Sequence, residues 1–79
     1  MIPGDIVYLN SRYDACYLWH DPRTMSKLIL DSATGHFFNN EQLAVVIVGD
    51  MSVDTMTWSF IMTNGLHLGW IESSKLVPM

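Results

Sequence analysis

Cysteine and charge are both scarce in this chain of 79 residues. Cys16 is the only cysteine, so no disulfide can form within the chain, which is typical of proteins from a reducing compartment. Charged residues make up 15% of the composition, against roughly 25% in an average globular domain. Because 49% of the residues are hydrophobic, intrinsic disorder is excluded, and we expect some apolar surface to stay uncovered after folding.

Basic residues are few and dispersed. The chain has four of them against eight acidic residues, which gives a net charge of −4. They form no cluster along the sequence and are Arg12, Arg23, Lys27 and Lys75. A phosphate backbone is recognised by concentrated positive charge, so this distribution disfavours binding of nucleic acid.

Segments that direct a chain into a membrane are missing as well. The first ten residues, MIPGDIVYLN, contain no basic region followed by a long apolar stretch, so they do not resemble a secretory signal. The longest apolar run, from Leu43 to Val48, is six residues, whereas a spanning helix needs about 20. We therefore expect no membrane association and a cytoplasmic location, which is the host cytoplasm if the protein is viral.

Short extended runs broken by turn residues fill the chain, which is the pattern of a single small all-β domain over residues 1–79. No segment shows the hydrophobic period of a helix. Asn40 could cap one helical turn, but the VVIV run that follows favours a strand. Turn formers occupy residues 31–35. We predict strands over residues 6–9, 16–19, 25–30, 43–48, 57–63, 66–72 and 75–77.

Two segments give sharper local predictions. Residues 43–48 are apolar on both faces and rich in β-branched side chains, so they should form the most buried strand, ended by Gly49-Asp50. Asn64-Gly65 suits two consecutive positive φ angles, which predicts a tight type I′ hairpin between two strands.

The stretch from Trp58 to Val77 resembles the second half of an SH3 domain, and Gly4-Asp5 followed by two aliphatic residues resembles the start of many SH3-like barrels. The matching features are Trp58 opening a strand, the Asn64-Gly65 hairpin, Gly69-Trp70-Ile71, the Ser73-Ser74 turn and Leu76-Val77. The resemblance implies a small SH3-like antiparallel barrel of five to six strands, with a long first loop region over residues 10–42.

The usual ligand of SH3 domains does not follow from this resemblance. Those domains hold proline-rich peptides with the strand-opening Trp and with a Pro and a Tyr around the 3₁₀ segment. Trp58 matches the Trp, but Glu72 stands at the Pro position and Lys75 at the Tyr position. The resemblance therefore supports the barrel and disfavours a proline-rich ligand.

Aromatic residues are the best candidates for a binding surface, since Tyr and Trp combine a large contact area with a polar group. Tyr17 and Trp19 share one face if their segment is extended. Trp58 shares a face with Phe60 and Met62, and it is either a core residue or, if a bulge shifts the alternation, a contact at the barrel rim. The predicted partner-binding residues are Tyr13, Tyr17, Trp19, Trp58 and Trp70.

No pattern in the sequence indicates catalysis. Cys16 and His20 form one close pair of potential ligands, but structural zinc sites commonly use two such pairs. No phosphate-binding loop or catalytic motif is present. We therefore predict that the protein is not an enzyme and uses no metal or cofactor, and that it is a non-catalytic module or small regulatory protein binding a partner protein.

Two other functions stay open at this point. The apolar excess and six methionines, which adapt to irregular contacts, suit a structural subunit of a homo-oligomer or of a viral or phage assembly. A KOW-like or Sm-like barrel could stack bases on its aromatic residues, although the charge of −4 argues against it. A small viral or phage accessory protein would also fit a chain of this kind.

Overall fold

A computed structural model describes residues 1–20, 33–53 and 55–79, with the side chains of residues 33 and 34 left out. The strand predicted over residues 25–30 lies outside this part of the chain. Ser73–Lys75 forms a short 3₁₀ turn. The described strands are β1 (Ile6–Leu9), β2 (Ala15–Trp19), β3 (Ala33–Asn39), β4 (Ala44–Val53), β5 (Met56–Thr63), β6 (Leu68–Glu72) and β7 (Leu76–Pro78).

These strands form one antiparallel sheet in the order β3-β2-β6-β5-β4-β1-β7, and the sheet curls into a half-barrel. The prediction of an all-β antiparallel fold is confirmed. The described part contains seven strands rather than five to six. Strand β2 matches the short strand predicted over residues 16–19. Strand β3 also lies within the range 10–42 that was expected to be a long loop region, and it occupies positions 33–35, where a turn was predicted.

The core lies on one side of the curled sheet and takes at least one side chain from every described strand. Because side chains alternate along a strand, every second residue reaches it. Met1 and Tyr13 pack against its edge. The buried residues of this cluster are Val7, Leu9, Cys16, Leu18, Phe38, Ala44, Val46, Ile61, Ile71 and Leu76.

Strand β5 turns its polar face toward this core. Ser59, Ile61 and Thr63 are buried there, whereas Phe60 and Met62 on the opposite side are only half-buried. Of the two interpretations of Trp58, burial is the one that holds, because the side chain is 2% exposed, although it lies outside the main core cluster. The polar groups stay paired: the Ser59 and Ser73 hydroxyls lie 2.6 Å apart, and the Thr63 hydroxyl accepts a hydrogen bond from the His67 N–H. Because its polar atoms are satisfied, this face is buried at little cost.

Strand β4 is less buried than its sequence predicts. It continues through Gly49-Asp50 to Val53 instead of ending there, with two register irregularities and a positive φ of 46° at Asp50. Bulges of this kind change the side to which the following residues point. As a result Ile47 and Val48 are exposed, and the prediction of the most buried strand is wrong.

The β5–β6 hairpin is present but is not of type I′. Neither Asn64 nor Gly65 has a positive φ, while Leu66 has a φ of 65°. The Leu66 N–H donates to the Thr63 carbonyl at 2.9 Å, and the Thr63 N–H donates to the His67 carbonyl at 2.9 Å. These bonds describe a three-residue loop whose last residue is left-handed, a position that glycine usually fills.

An apolar outer face as the candidate functional site

The side of the sheet opposite the core, which we call the outer face, is apolar across at least four strands. Strand pairing aligns its residues in rows. The first row consists of Ile6, Val45, Met62 and Leu68. The second row consists of Val48, Phe60, Trp70 and Trp19. The third row consists of Met51, Trp58 and Glu72. A sheet that is apolar on both sides needs cover on both, so the outer face is the candidate site.

Five aromatic side chains lie on the outer face of β3, β2, β6 and β5, and we call them the aromatic strip. The Tyr17 ring lies 4.4 Å from the Phe37 ring and 6.0 Å from the Trp19 ring. Trp19 pairs with Trp70 across β2 and β6, and the Trp70 ring lies 5.1 Å from Phe60. The Tyr17–Trp19 and Phe60–Trp70 distances lie in the range of about 4.5–7 Å that favours tilted aromatic pairs, and the Tyr17–Phe37 pair is slightly closer.

Exposure is concentrated at one end of the strip. Tyr17 is 49% exposed and Phe37 is 47% exposed, side by side on neighbouring strands. Trp19, Trp70 and Phe60 are half-buried, and of these Phe60 and Trp70 have rings in contact. A rigid exposed pair of rings with a supporting layer is the arrangement found at interface hot spots.

The structure brings three of the five predicted site residues together. Tyr17, Trp19 and Trp70 belong to the aromatic strip. Trp58 lies on the same face but is only 2% exposed, so it offers no accessible ring and the rim-contact interpretation fails. Tyr13 lies elsewhere, packed against the core cluster with Lys75 Nζ 5.5 Å from its ring centre.

The sequence analysis missed Phe37 and Phe60 as members of the strip. Phe37 was overlooked because the turn formers at 31–35 hid strand β3. Once residues 33–39 are extended, alternation sends Phe38 to the core and Phe37 outward. Phe60 was not chosen because one of the two interpretations of β5 placed it, together with Trp58 and Met62, on the core side.

Charge is nearly absent from the described rows of the outer face. Glu72 is the charged residue in them, and its carboxylate lies 3.6 Å from Lys75 Nζ. A half-exposed pair at this distance contributes little to stability, about 0–1 kcal/mol. The outer face therefore presents apolar area and very little charge.

An apolar cleft of about 260 Å³ opens at the end of the first row, where β1, β4 and β5 meet. Leu66 stands at its border, is 75% exposed and holds the left-handed conformation described above. That conformation costs a residue with a side chain roughly 1–2 kcal/mol. The cleft is lined by Ile6, Leu43, Ala44, Val45, Met62, Thr63, Asn64 and Leu66.

The reactive side chains of the described residues are dispersed. Cys16 is buried in the core, and burial raises the pKa of its thiol above the ordinary value of 9.0. A buried protonated thiol is a poor nucleophile. The His36 and His67 rings stack 3.7 Å apart. In the part of the chain that is described, no three His, Cys, Asp or Glu residues lie close enough to hold a metal ion.

No helix among the described residues is long and apolar enough to cross a membrane. Comparison of the chain with models of protein families, with curated proteins and with solved structures gives no match. The resemblance to SH3-like barrels therefore stays a prediction that rests on the residues from Trp58 to Val77 and from Gly4 to Val7.

Proposed function

We propose that this protein is a non-catalytic module that binds a partner protein through the aromatic strip. The observation that carries the proposal is the exposed pair of Tyr17 and Phe37, held 4.4 Å apart on neighbouring strands, with the Trp19 ring 6.0 Å from Tyr17. Rigid aromatic side chains lose little conformational entropy on binding, so such a pair is suited to anchoring a partner.

The free energy gained by covering the two rings indicates how large the interface must be. Covering the exposed parts of Tyr17 and Phe37 removes about 200 Å² of apolar area from water, which favours association by about 5 kcal/mol. Association itself costs roughly 4–15 kcal/mol in lost freedom of motion. The two rings are therefore the anchor of a larger interface, and neighbouring apolar residues of the outer face must supply the remainder.

The net charge of the chain indicates which charge the surface of the partner should carry. The strip contributes almost no charge, while the whole chain carries −4. An apolar patch with a basic border would match both properties, since complementary net charge speeds association without requiring ion pairs at the centre of the contact. We propose such a patch on the partner.

The SH3-like barrel is part of this proposal as our interpretation of the fold. The aromatic strip would take the role that the peptide groove has in SH3 domains. Trp58 is buried, and Glu72 and Lys75 replace the Pro and Tyr of that groove, so a different surface must carry recognition. The free thiol of Cys16 suits a reducing compartment, and we extend the proposal to a cytoplasmic location.

The test is an affinity comparison on a purified partner. Tagged protein is used to capture partners from cells that express it, and each captured protein is purified and titrated by calorimetry. Tyr17→Ser and Phe37→Ser should each weaken binding at least about tenfold, as loss of a hot-spot ring does. Tyr8→Ser is the matched control, because Tyr8 is an exposed tyrosine on the outer side of β1, away from the strip.

Either of two results would contradict the proposal. One is a purified partner whose affinity is unchanged by both strip substitutions. The other is an equal loss of affinity in Tyr8→Ser and Tyr17→Ser, which would show that the strip has no special part in binding.

A further inference from the structure

The loop of the β5–β6 hairpin contains an asparagine followed by a glycine, Asn64-Gly65, and both residues are exposed. In such a dipeptide the backbone nitrogen of the glycine can attack the side-chain amide of the asparagine, because glycine has no side chain to obstruct the approach. In a folded chain this reaction requires that both reacting groups are accessible and that neither is held by another contact.

We infer that Asn64 is a site of spontaneous deamidation in the folded chain. The Gly65 nitrogen forms a bond to Cγ of Asn64, and the bond between Cγ and the side-chain amide nitrogen breaks. A succinimide ring results, and the amide nitrogen leaves as ammonia with the proton of the Gly65 N–H. Water then adds to one of the two ring carbonyls and opens the ring to aspartate or isoaspartate. Water is the only reagent that the reaction consumes.

Both reacting groups are free of hydrogen bonds. Within the described part of the chain, the Gly65 N–H donates to no acceptor and the Asn64 side-chain amide has no partner. The fold holds the neighbouring groups instead: the Asn64 N–H donates to the Leu43 carbonyl at 2.9 Å, and the Leu66 N–H donates to the Thr63 carbonyl at 2.9 Å. Attack therefore breaks no hydrogen bond, while the fixed flanks of the loop keep the two groups side by side.

The other asparagines of the chain are placed less favourably for this reaction. The side-chain oxygens of Asn10 and Asn39 each accept a hydrogen bond at 3.0 Å from the backbone N–H two residues further along the chain. Asn40 precedes a glutamate, whose side chain obstructs attack by its backbone nitrogen. The structure thus distinguishes Asn64, which combines a free amide with a following glycine.

Conversion of Asn64 changes the apolar cleft at the hairpin. Asn64 lines the cleft together with Leu43 and Met62, and the lining residues carry no charge. Aspartate or isoaspartate places a carboxylate there and adds one negative charge to the −4 of the chain. An ionised carboxylate is costly to bury, so an apolar group that fits the cleft of the new chain is disfavoured in the converted chain. Isoaspartate also lengthens the main chain by one carbon within the loop.

Peptide mapping of the purified, folded chain tests the inference. The chain is incubated at physiological temperature and mildly alkaline pH, and samples taken over several weeks are digested and measured by mass spectrometry. Enzymatic methylation of the isoaspartyl carboxylate identifies that product. Asn64 should convert at least about tenfold faster than Asn10, Asn39 or Asn40, since its attacking nitrogen is unobstructed and its amide is free to reach the reactive geometry.

Gly65→Ala is the matched variant. The nearest atom to a Cβ at position 65 is 3.7 Å away, so the fold is kept, but the added methyl group obstructs the attacking nitrogen. Conversion of Asn64 should slow at least about tenfold in this variant. The wild-type chain unfolded in urea is the second control, in which Asn10 and Asn39 lose their hydrogen bonds and should convert faster than in the folded chain.

Two results would overturn the inference. One is an Asn64 that persists in the folded chain although it converts in urea, which would show that the fold prevents the reaction. The other is conversion of Asn64 at the wild-type rate in Gly65→Ala. Asn64 is not part of the aromatic strip, so neither result bears on the proposed function, and failure of partner binding leaves this inference intact.

Discussion

Gly69 lies directly against Leu18 where β6 meets β2: a Cβ added at position 69 would stand 2.5 Å from the Leu18 Cβ and 3.3 Å from its Cα. The contact lets the two strands approach closely enough for Trp19 to pair with Trp70. Gly69→Ala should therefore destabilise the protein by about 1–3 kcal/mol, because Leu18 is fully buried and cannot move aside freely. Urea unfolding followed by tryptophan fluorescence measures the change.

Gly65→Ala is the matched control for this substitution. The nearest atom to an added Cβ at position 65 is 3.7 Å away, and the residue has no positive φ. The free energy of unfolding of Gly65→Ala should stay within about 0.5 kcal/mol of the wild-type value. Equal destabilisation by the two substitutions would show that close packing of β6 on β2 is not the cause.

Leu66→Gly should raise the stability of the protein, although it removes a large apolar side chain. Leu66 holds a φ of 65° and is mostly exposed, so glycine relieves backbone strain while losing little burial. We expect a gain of up to about 1 kcal/mol, reduced by the greater freedom of glycine in the unfolded chain. Thermal unfolding measures it.

Leu68→Gly provides the comparison on the same hairpin. Leu68 is also an exposed leucine, but it lies within strand β6, where glycine lowers stability by about 0.5–1 kcal/mol. The left-handed strain at Leu66 is refuted if both glycine variants are destabilised to the same extent.

Ionisation of the Cys16 thiol should lower the free energy of unfolding at alkaline pH. Burial raises the pKa of the thiol, the nearby Lys75 lowers it in part, and Glu72 raises it further. The folded chain then holds the thiol proton to higher pH than the unfolded chain, whose ordinary value is 9.0. The stability that the protonated thiol contributes is complete at pH values below 9.0, the pKa of the unfolded chain. It is lost as the pH rises through the higher pKa of the folded chain.

The measurement is the free energy of unfolding at pH 7 to 10.5 for the wild type and for Cys16→Ala. The alanine variant should be less stable at neutral pH, because a buried side chain is shortened, and its stability should decline less steeply above pH 9. Parallel profiles would exclude Cys16 as the source of the alkaline decline.

Local patterns in the sequence predicted much of the fold. The ranges 6–9, 16–19 and 57–63 became β1, β2 and β5 with shifts of at most one residue at an end. Ser73-Ser74 opened the 3₁₀ turn as predicted. These segments have alternation or turn chemistry that is decided by their own residues.

The errors arose where both sides of a strand are apolar. Along β4 and β5, alternation between apolar and polar residues does not identify the core side, because the outer face is apolar too. Trp58 illustrates the difficulty: its size suggested either the core or an exposed rim, and it is buried on the outer face. The bulges of β4 and the left-handed Leu66 depend on contacts between strands, which no local pattern contains.

Part of the candidate site could be found from composition alone. Aromatic residues were chosen as candidates from the sequence, and the structure places Tyr17, Trp19 and Trp70 on the outer face. Their union into one strip depends on β2 lying between β3 and β6, which brings residues far apart in the chain together. Sequence spacing cannot supply that order of strands.

Hydroxyl-radical footprinting of the complex tests the central claim, the aromatic strip as the partner-binding surface, most directly. Oxidation of Tyr17, Phe37 and Tyr8 is measured in the free chain and with a saturating amount of the purified partner. Tyr17 and Phe37 should become protected at least about fivefold while Tyr8 reacts as before, since an interface buries its anchor residues almost fully. Unchanged oxidation of Tyr17 and Phe37 in the saturated complex would contradict it.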